Sequence, residues 1–273
     1  MTQNGRIISL DEWLLTPTGR YLLAWEQQQL DRTVGDLFGF HAVQLGLPQL
    51  EALAQNRMPH RWVALDRAAA PLPEPPGAAP DARVPRAVLT DFEALPFETH
   101  SLDLVVLPHT LELSRDPHQT LREVERVLVP EGKVVVLGLN PASLWGVQQR
   151  SASLCSRLGL GTDVLPPARD MIGYWRLRDW LRLLSFDIEG GRFGCWRPAL
   201  RSELWLERFG WMERSGERWW PVLGAAYFLV ATKRVRGMRL INPAWKGRQA
   251  TQRAPAVAAS RRQPLGRREG GGS

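Results

Sequence analysis

The chain has 273 residues, 44% hydrophobic and 23% charged, ordinary for a soluble globular protein with a core large enough to need no disulfide staples. Its two cysteines, Cys155 and Cys195, stand in no CxxC or other metal spacing, which reads as reduced, partly buried thiols of a cytoplasmic chain. The formal net charge is +7, but residues 233–273 hold 11 Lys or Arg against the single Glu269, so +10 lies there and −3 remains over residues 1–232. The basic character therefore belongs to a tail over 234–273, expected to be disordered and to attract polyanions weakly, nucleic acid included.

In chain order, "MTQNGRIISLDEW" lacks the apolar stretch of a signal peptide. A helical extension occupies residues 1–34, with a helix predicted over Thr18–Phe38, where Thr18 serves as cap and Leu30, Val34 and Leu37 repeat at helical spacing. A short strand follows at His41–Gly46, a helix at Gln49–Arg57 and a strand at Arg61–Asp66. Residues 68–85 hold six prolines and read as an extended loop. Strands are expected at Arg86–Asp91, Leu102–Leu107 and Lys133–Leu139, and an amphipathic helix at Tyr174–Phe186. Two late strands lie in "DIEGGRF" and "AAYFLVATKR". The apolar run Pro221–Thr232 is far short of the ~20 residues of a membrane helix, so it reads as a buried strand and no membrane association is expected. Strand–helix alternation implies an α/β fold with a mainly parallel sheet and right-handed crossovers. The twelve tryptophans read as core and rim aromatics.

One junction is especially well defined. In "DPHQTLREVERVLVPEGKVVVLGLNP", Asp116 and Pro117 suit the Ncap and first helical positions. Leu121, Val124, Val127 and Leu128 form a core-facing stripe, and Arg122, Glu123, Glu125 and Arg126 offer pairs three residues apart. Pro130 stops the helix, Glu131-Gly132 turns the chain, and the next run is a buried strand.

Together with the residues before it, this block, Asp91–Pro141, resembles the central part of class I S-adenosylmethionine-dependent methyltransferases. The shared features are "D-x-x-x-LPF", "S-x-D-x-V", the helix "LREV-x-R-V-L" and the strand after it; "HTLE", "DPHQ" and "NPASLWG" resemble a proteobacterial subfamily. The resemblance covers about residues 35–233 and implies a Rossmann-like, mainly parallel seven-stranded sheet with helices on both faces. It implies S-adenosyl-L-methionine as cofactor and a small or medium methyl acceptor, with the acceptor pocket walled by "NPASLWGVQQR" and Tyr174–Trp180. Carried onto this chain, the methionine end of the cofactor falls at Gly46 and Leu47, the ribose at Asp66, and the adenine at Asp91 with Phe92. The end of strand four, Leu107 to His109, faces the sulfonium and substrate.

The family's first loop follows "E-x-G-x-G-x-G", and here it reads "VQLGLPQLE". Only Gly46 remains of the glycines, Gln44 stands where an acid is expected, and Pro48 has no backbone N–H. Gln49 or Arg67 is placed to make up the missing cofactor contacts. His109 is the candidate general base, with Glu112 one helical turn on. "HTLE" alone is half a zinc site at most, so no metal is expected. The altered loop leaves a second reading, a methyltransferase fold kept as a binding or regulatory module. The basic tail leaves a third, an RNA-associated protein.

Overall fold

Thr16 starts the first long helix. Its hydroxyl accepts a hydrogen bond from Gly19 N at 3.1 Å, and Pro17 follows at the first helical position, where a missing N–H costs nothing. This helix, α2, spans Pro17–Val34 and is preceded by a short α1, Leu10–Leu14. Thr18, the cap expected from the sequence, is instead buried one position inside the helix. Its hydroxyl donates to Leu200 O at 2.7 Å and accepts from Leu200 N at 3.1 Å, which ties the helix start to a loop 182 residues later. The structure, a computed structural model, describes residues 10–66, 86–157, 171–200 and 202–234. Arg67, the proline-rich stretch 68–85, the side chain of Cys155 and the tail beyond Arg234 lie outside the described residues.

Seven strands form one sheet: β1 (His41–Leu45), β2 (His60–Asp66), β3 (Arg86–Thr90), β4 (Leu102–Pro108), β5 (Leu128–Leu139), β6 (Phe186–Gly194) and β7 (Ala226–Lys233). Their order is β3-β2-β1-β4-β5-β7-β6; only β7 runs antiparallel to its neighbours. This is the mainly parallel α/β sheet that the strand–helix alternation predicts, with the seven strands that the family resemblance implies. The order reverses between β1 and β4, so the carboxyl ends of those two strands open the crevice where open α/β sheets hold ligands.

Both faces are covered, which is why the central strands read as continuous apolar runs. On one face Leu22, Leu30 and Val34 of α2 pack with Leu104, Val106, Val135, Leu137 and Phe228. Trp13 and Trp145 close that core edge to face, with ring centroids 5.9 Å apart. The other face carries α4 (Pro117–Val127) and α6 (Tyr174–Leu183), whose Leu121, Val124, Val127, Leu177 and Leu181 meet Val43, Leu45, Val105, Leu107, Val134 and Val136. Residues of opposite parity along β4 and β5 thus serve opposite cores.

The α4–β5 junction keeps its expected cap and apolar stripe, but the helix ends at Val127 and β5 starts at Leu128, so Pro130 lies inside the strand instead of stopping the helix. Asp116 Oδ1 accepts from His118 N at 2.9 Å and Gln119 N at 3.1 Å. Leu121, Val124, Val127 and Leu128 are all fully buried. Glu131 takes φ +64°, and the turn is absorbed inside β5 as a register shift, with Leu102 opposite Leu128 and Leu104 opposite Lys133.

Two expectations fail locally. Gln49–Arg57 is not a helix but a series of turns. Pro48 supplies no N–H there, and a buried side chain from β1 takes up the backbone groups a helix would pair. Conversely, α5 (Leu144–Arg157), α7 (Glu203–Arg208) and α8 (Trp211–Trp219) are helices the pattern did not announce, as is the four-residue α3 (Thr110–Leu113).

Candidate cofactor and active site

The loop after β1 is built around Gln44. Its side chain is 1% exposed; the amide nitrogen donates to the carbonyls of Gly46 (3.1 Å), Leu47 (2.8 Å) and Leu50 (2.8 Å), and its oxygen accepts from Ala52 N at 3.1 Å. A single amide therefore substitutes for secondary structure over the next eight residues. Gly46 turns the chain at φ +78° and Leu47 follows at φ +43°, the left-handed region that favours glycine. A Cβ on Gly46 would stand 3.5 Å from the Phe92 ring and 3.8 Å from Thr110 Oγ1, so the turn lies between the segment after β3 and the segment after β4.

The two predicted acids end adjoining strands. Asp66 is the last residue of β2 and pairs in register with Thr90, so Asp91 stands one residue beyond it on the neighbouring strand. Asp66 is half-buried; Asp91 is exposed, and its Oδ1 accepts from Glu93 N at 3.1 Å. Phe92 is buried beneath this edge. Gly46, Leu47, Asp66, Asp91 and Phe92 thus all lie at the carboxyl edge over β1, β2 and β3. Leu107 belongs elsewhere: its side chain is fully buried in the core under α4, leaving only its backbone to face the crevice.

His109 follows β4 at φ +52°, and its N–H donates to Leu137 O at 3.0 Å. The imidazole is 1% exposed and held from both sides: Nε2 lies 2.7 Å from Glu26 Oε1 and Nδ1 lies 2.9 Å from Glu112 Oε2. Burial opposes a charge on this ring, but the Glu26 carboxylate beside it and hydrogen bonds from both acids outweigh burial and raise its pKa well above the ordinary histidine value. Glu112 continues the chain of contacts by accepting from Leu139 N at 2.6 Å with its other oxygen. Next to His109, the Thr110 hydroxyl donates to Leu45 O, which binds the end of β1 to the start of α3 across the switch point.

Sequence reasoning placed His109 and Glu112 together correctly, but as a base with its turn-mate. The structure shows both ring nitrogens in contact with carboxylates, Nδ1 with Glu112 and Nε2 with Glu26. The partner that reasoning missed is Glu26. Its signal was present: Leu22, Glu26, Leu30 and Val34 recur every fourth residue, so an acid interrupts an apolar stripe. No group of three or more His, Cys, Asp or Glu arranged to hold a metal ion occurs among the described residues. Cys195 is a buried free thiol, and no helix among the described residues is long and apolar enough to cross a membrane.

An acid at the end of β2, another just past β3 and an aromatic ring under the turn are residue types that could hold the nucleoside half of S-adenosylmethionine. The other half departs from the family pattern. Gly46 N–H is committed to Ala64 O at 2.7 Å, and Pro48 offers none, so the loop cannot present a run of glycine N–H groups to a carboxylate.

The family described as "Methyltransferase domain" matches residues 46–136, from the Gly46 turn into β5. The uncharacterized protein YafS of Escherichia coli K12 is 26% identical over 259 residues, spanning 93% of each chain. The demethylmenaquinone methyltransferase of Chlamydia pneumoniae is 42% identical over 52 residues, 19% of this chain and 23% of that one. Among solved structures, a chain from the complex between the Haloferax volcanii Trm112 methyltransferase activator and a methyltransferase superposes with a TM-score of 0.53 at 15% identity, over 84% of this chain and 98% of the other. Residues 46–136 thus match a methyltransferase domain, and the sheet order and superposition give the chain the Rossmann-like methyltransferase fold.

Proposed function

We propose that this protein transfers a methyl group from S-adenosyl-L-methionine to a small-molecule acceptor at the carboxyl edge of β1, β2 and β4. The observation that carries the reading is the Gly46 turn at the switch point, set against Phe92 with Asp66 and Asp91 on the two strand ends beside it. In this reading Asp66 binds the ribose hydroxyls, Asp91 and Phe92 meet the adenine, and Gly46 and Leu47 border the methionine end. S-adenosylmethionine supplies a sulfonium that is already electrophilic, so the chain's own task is orientation and exclusion of water. His109 is a positioning residue here: clamped by Glu26 and Glu112, it fixes the backbone after β4 where the methyl group and acceptor meet. An acceptor amine or thiol reaching the site in its nucleophilic form needs no protein base.

The commitment of Gly46 N–H to Ala64 O favours one second reading, a methyltransferase fold retained as a binding or regulatory module. Calorimetry with S-adenosylmethionine and S-adenosylhomocysteine at millimolar ligand separates the two. Heat and a thermal shift with the full chain, both reduced by Asp66→Ala and by Asp91→Ala, are expected for the transferase. Silence with both ligands leaves the module. Binding unaffected by either substitution moves the cofactor away from this edge.

A further inference from the structure

A cavity of about 590 Å³ lies between α2, the end of β6 and α8, and none of its lining residues belongs to the edge described above. Its walls are Trp25 from α2, Phe193 from β6 and Trp196 just after β6. The size is that of a small-molecule site, and aromatic walls with a few placed charges are the usual lining of one.

The two indoles are seated by glycines. A Cβ on Gly194 would come within 2.0 Å of the Trp25 ring, and one on Gly216 within 2.2 Å of the Trp196 ring. Trp196 is fixed further by donating Nε1–H to Trp220 O at 3.0 Å. Both walls are therefore held in place by the fold, and a flat ligand entering the cavity has little side-chain order to impose.

The charges around the cavity divide by element. Arg32 and Arg192 come from α2 and β6, while Glu213 and Glu217 come from α8. Two of these four are engaged: Arg192 donates to Gln29 Oε1 at 3.0 Å, and Glu213 accepts from the Tyr21 hydroxyl and lies 3.7 Å from Arg197. Arg32 and Glu217 have no hydrogen-bond or ion-pair partner among the described residues. An uncommitted cation on one wall and an uncommitted anion on the other, with aromatic surfaces between, match a ligand that carries a ring, a carboxylate and an ammonium group.

We propose that this cavity, walled by Trp25 and Trp196 and rimmed by Arg32 and Glu217, is a binding site for an aromatic zwitterion of the amino-acid class. The inference stands apart from methyl transfer, since it uses none of the same residues.

Fluorine NMR on the full chain tests it with three probes: 4-fluorophenylalanine, 4-fluorophenylacetate and 4-fluorophenethylamine. The amino acid should bind more tightly than the acid or the amine alone. Arg32→Gln should weaken the amino acid and the acid by roughly two- to fivefold, as expected for a solvent-exposed ionic contact, and leave the amine unchanged. Glu217→Gln should weaken the amino acid and the amine and leave the acid unchanged. Trp25→Leu should remove binding of all three; both charge variants alter exposed side chains, so they remain informative if the Trp25 variant does not fold. No binding of 4-fluorophenylalanine to the unaltered chain, equal affinity for the three probes, or indifference to both charge substitutions overturns the proposal.

Discussion

Nε2 of His109 lies 2.7 Å from Oε1 of Glu26, joining the loop after β4 to a helix 83 residues earlier in the chain. Both side chains are essentially without solvent exposure, and Glu112 holds the opposite ring nitrogen at 2.9 Å. Helix α2 is thereby fastened to the switch point by a charge contact as well as by the Leu22–Leu30–Val34 stripe. The second oxygen, Oε2 of Glu26, is buried and has no hydrogen-bond partner among the described residues, so the pair is not fully satisfied.

Removing Glu26 should be costly. Breaking one partner out of a buried ion pair typically loses about 3–5 kcal/mol, because the other charge is left in a low-dielectric site. Glu26→Ala is expected to lose an amount of that order, measured by urea unfolding as a lower midpoint at unchanged slope. Glu26→Gln keeps an acceptor for Nε2 and should lose distinctly less. Equal losses for the two would mean that a neutral acceptor adds nothing and that the charge on Glu26 carries the whole contact.

The same clamp has a pH signature. The folded His109 pKa is raised, so the stabilisation is fully present below the unfolded value of about 6.5 and is lost as pH rises through the folded value. In that interval the folded chain holds one more proton than the unfolded chain, and stability should fall by up to about 1.4 kcal/mol per pH unit. Glu123 and Glu189, whose folded values are lowered, act only where pH falls below the ordinary carboxylate value of 4.5. Burial raises Cys195, Tyr21 and Tyr227, and these act from about pH 8 upward, where an unfolded thiol and then the phenols begin to ionise. The part of the slope between about pH 6.5 and 8 that His109→Asn removes is the contribution of His109. Urea unfolding across that range should show it, and His109→Asn should remove it.

What the sequence discloses follows the range of the forces involved. The α4–β5 junction is legible because each of its signals is local: a cap at Asp116, a proline after it, a stripe at Leu121, Val124 and Val127, and a turn at Glu131-Gly132. The carboxyl-edge acids Asp66 and Asp91 are legible because strand ends can be counted from alternating apolar runs. The loop after β1 is not, because residues 49–57 carry helix-forming side chains while a buried amide five residues upstream takes their backbone groups. His109 is legible as a polar residue at the end of β4, but its clamp is not, since the second contact comes from Glu26 across 83 residues. Tertiary contacts of that kind leave only an indirect trace, an acid standing in an apolar stripe.

Gln44 should therefore be a stability residue as much as a site residue. Gln44→Leu keeps the volume roughly constant but leaves the carbonyls of Gly46, Leu47 and Leu50 without their donor and Ala52 N–H without its acceptor. Each buried polar group left unpaired costs about 1–3 kcal/mol, and partial relaxation of the loop should still leave a loss of at least about 2 kcal/mol. Amide hydrogen exchange supplies a local check. Ala52 should lose protection in the variant while strand amides of β4 and β5 follow only the global change. Unchanged protection at Ala52 would remove Gln44 from its role in ordering the loop.

Lys233 closes the far end of the sheet and offers a contrast with its neighbour. Its ammonium is 4% exposed, donates to the carbonyls of Glu125 and Leu128 and lies 2.9 Å from Glu125 Oε1, so the last residue of β7 caps the end of α4. A cation there also meets the negative end of the helix dipole. Lys233→Met keeps most of the aliphatic stem but strips both carbonyls of a donor, with an expected loss of about 1–3 kcal/mol. Arg234, one residue on, pairs with Glu131 and Asp187 at the surface and is about half exposed. Arg234→Ala should change stability by less than about 1 kcal/mol, and added salt should shrink even that difference. Parallel urea titrations of the two variants at low and high salt decide the matter. A Lys233→Met loss no larger than that of Arg234→Ala would show that burial at this corner adds nothing to the contact.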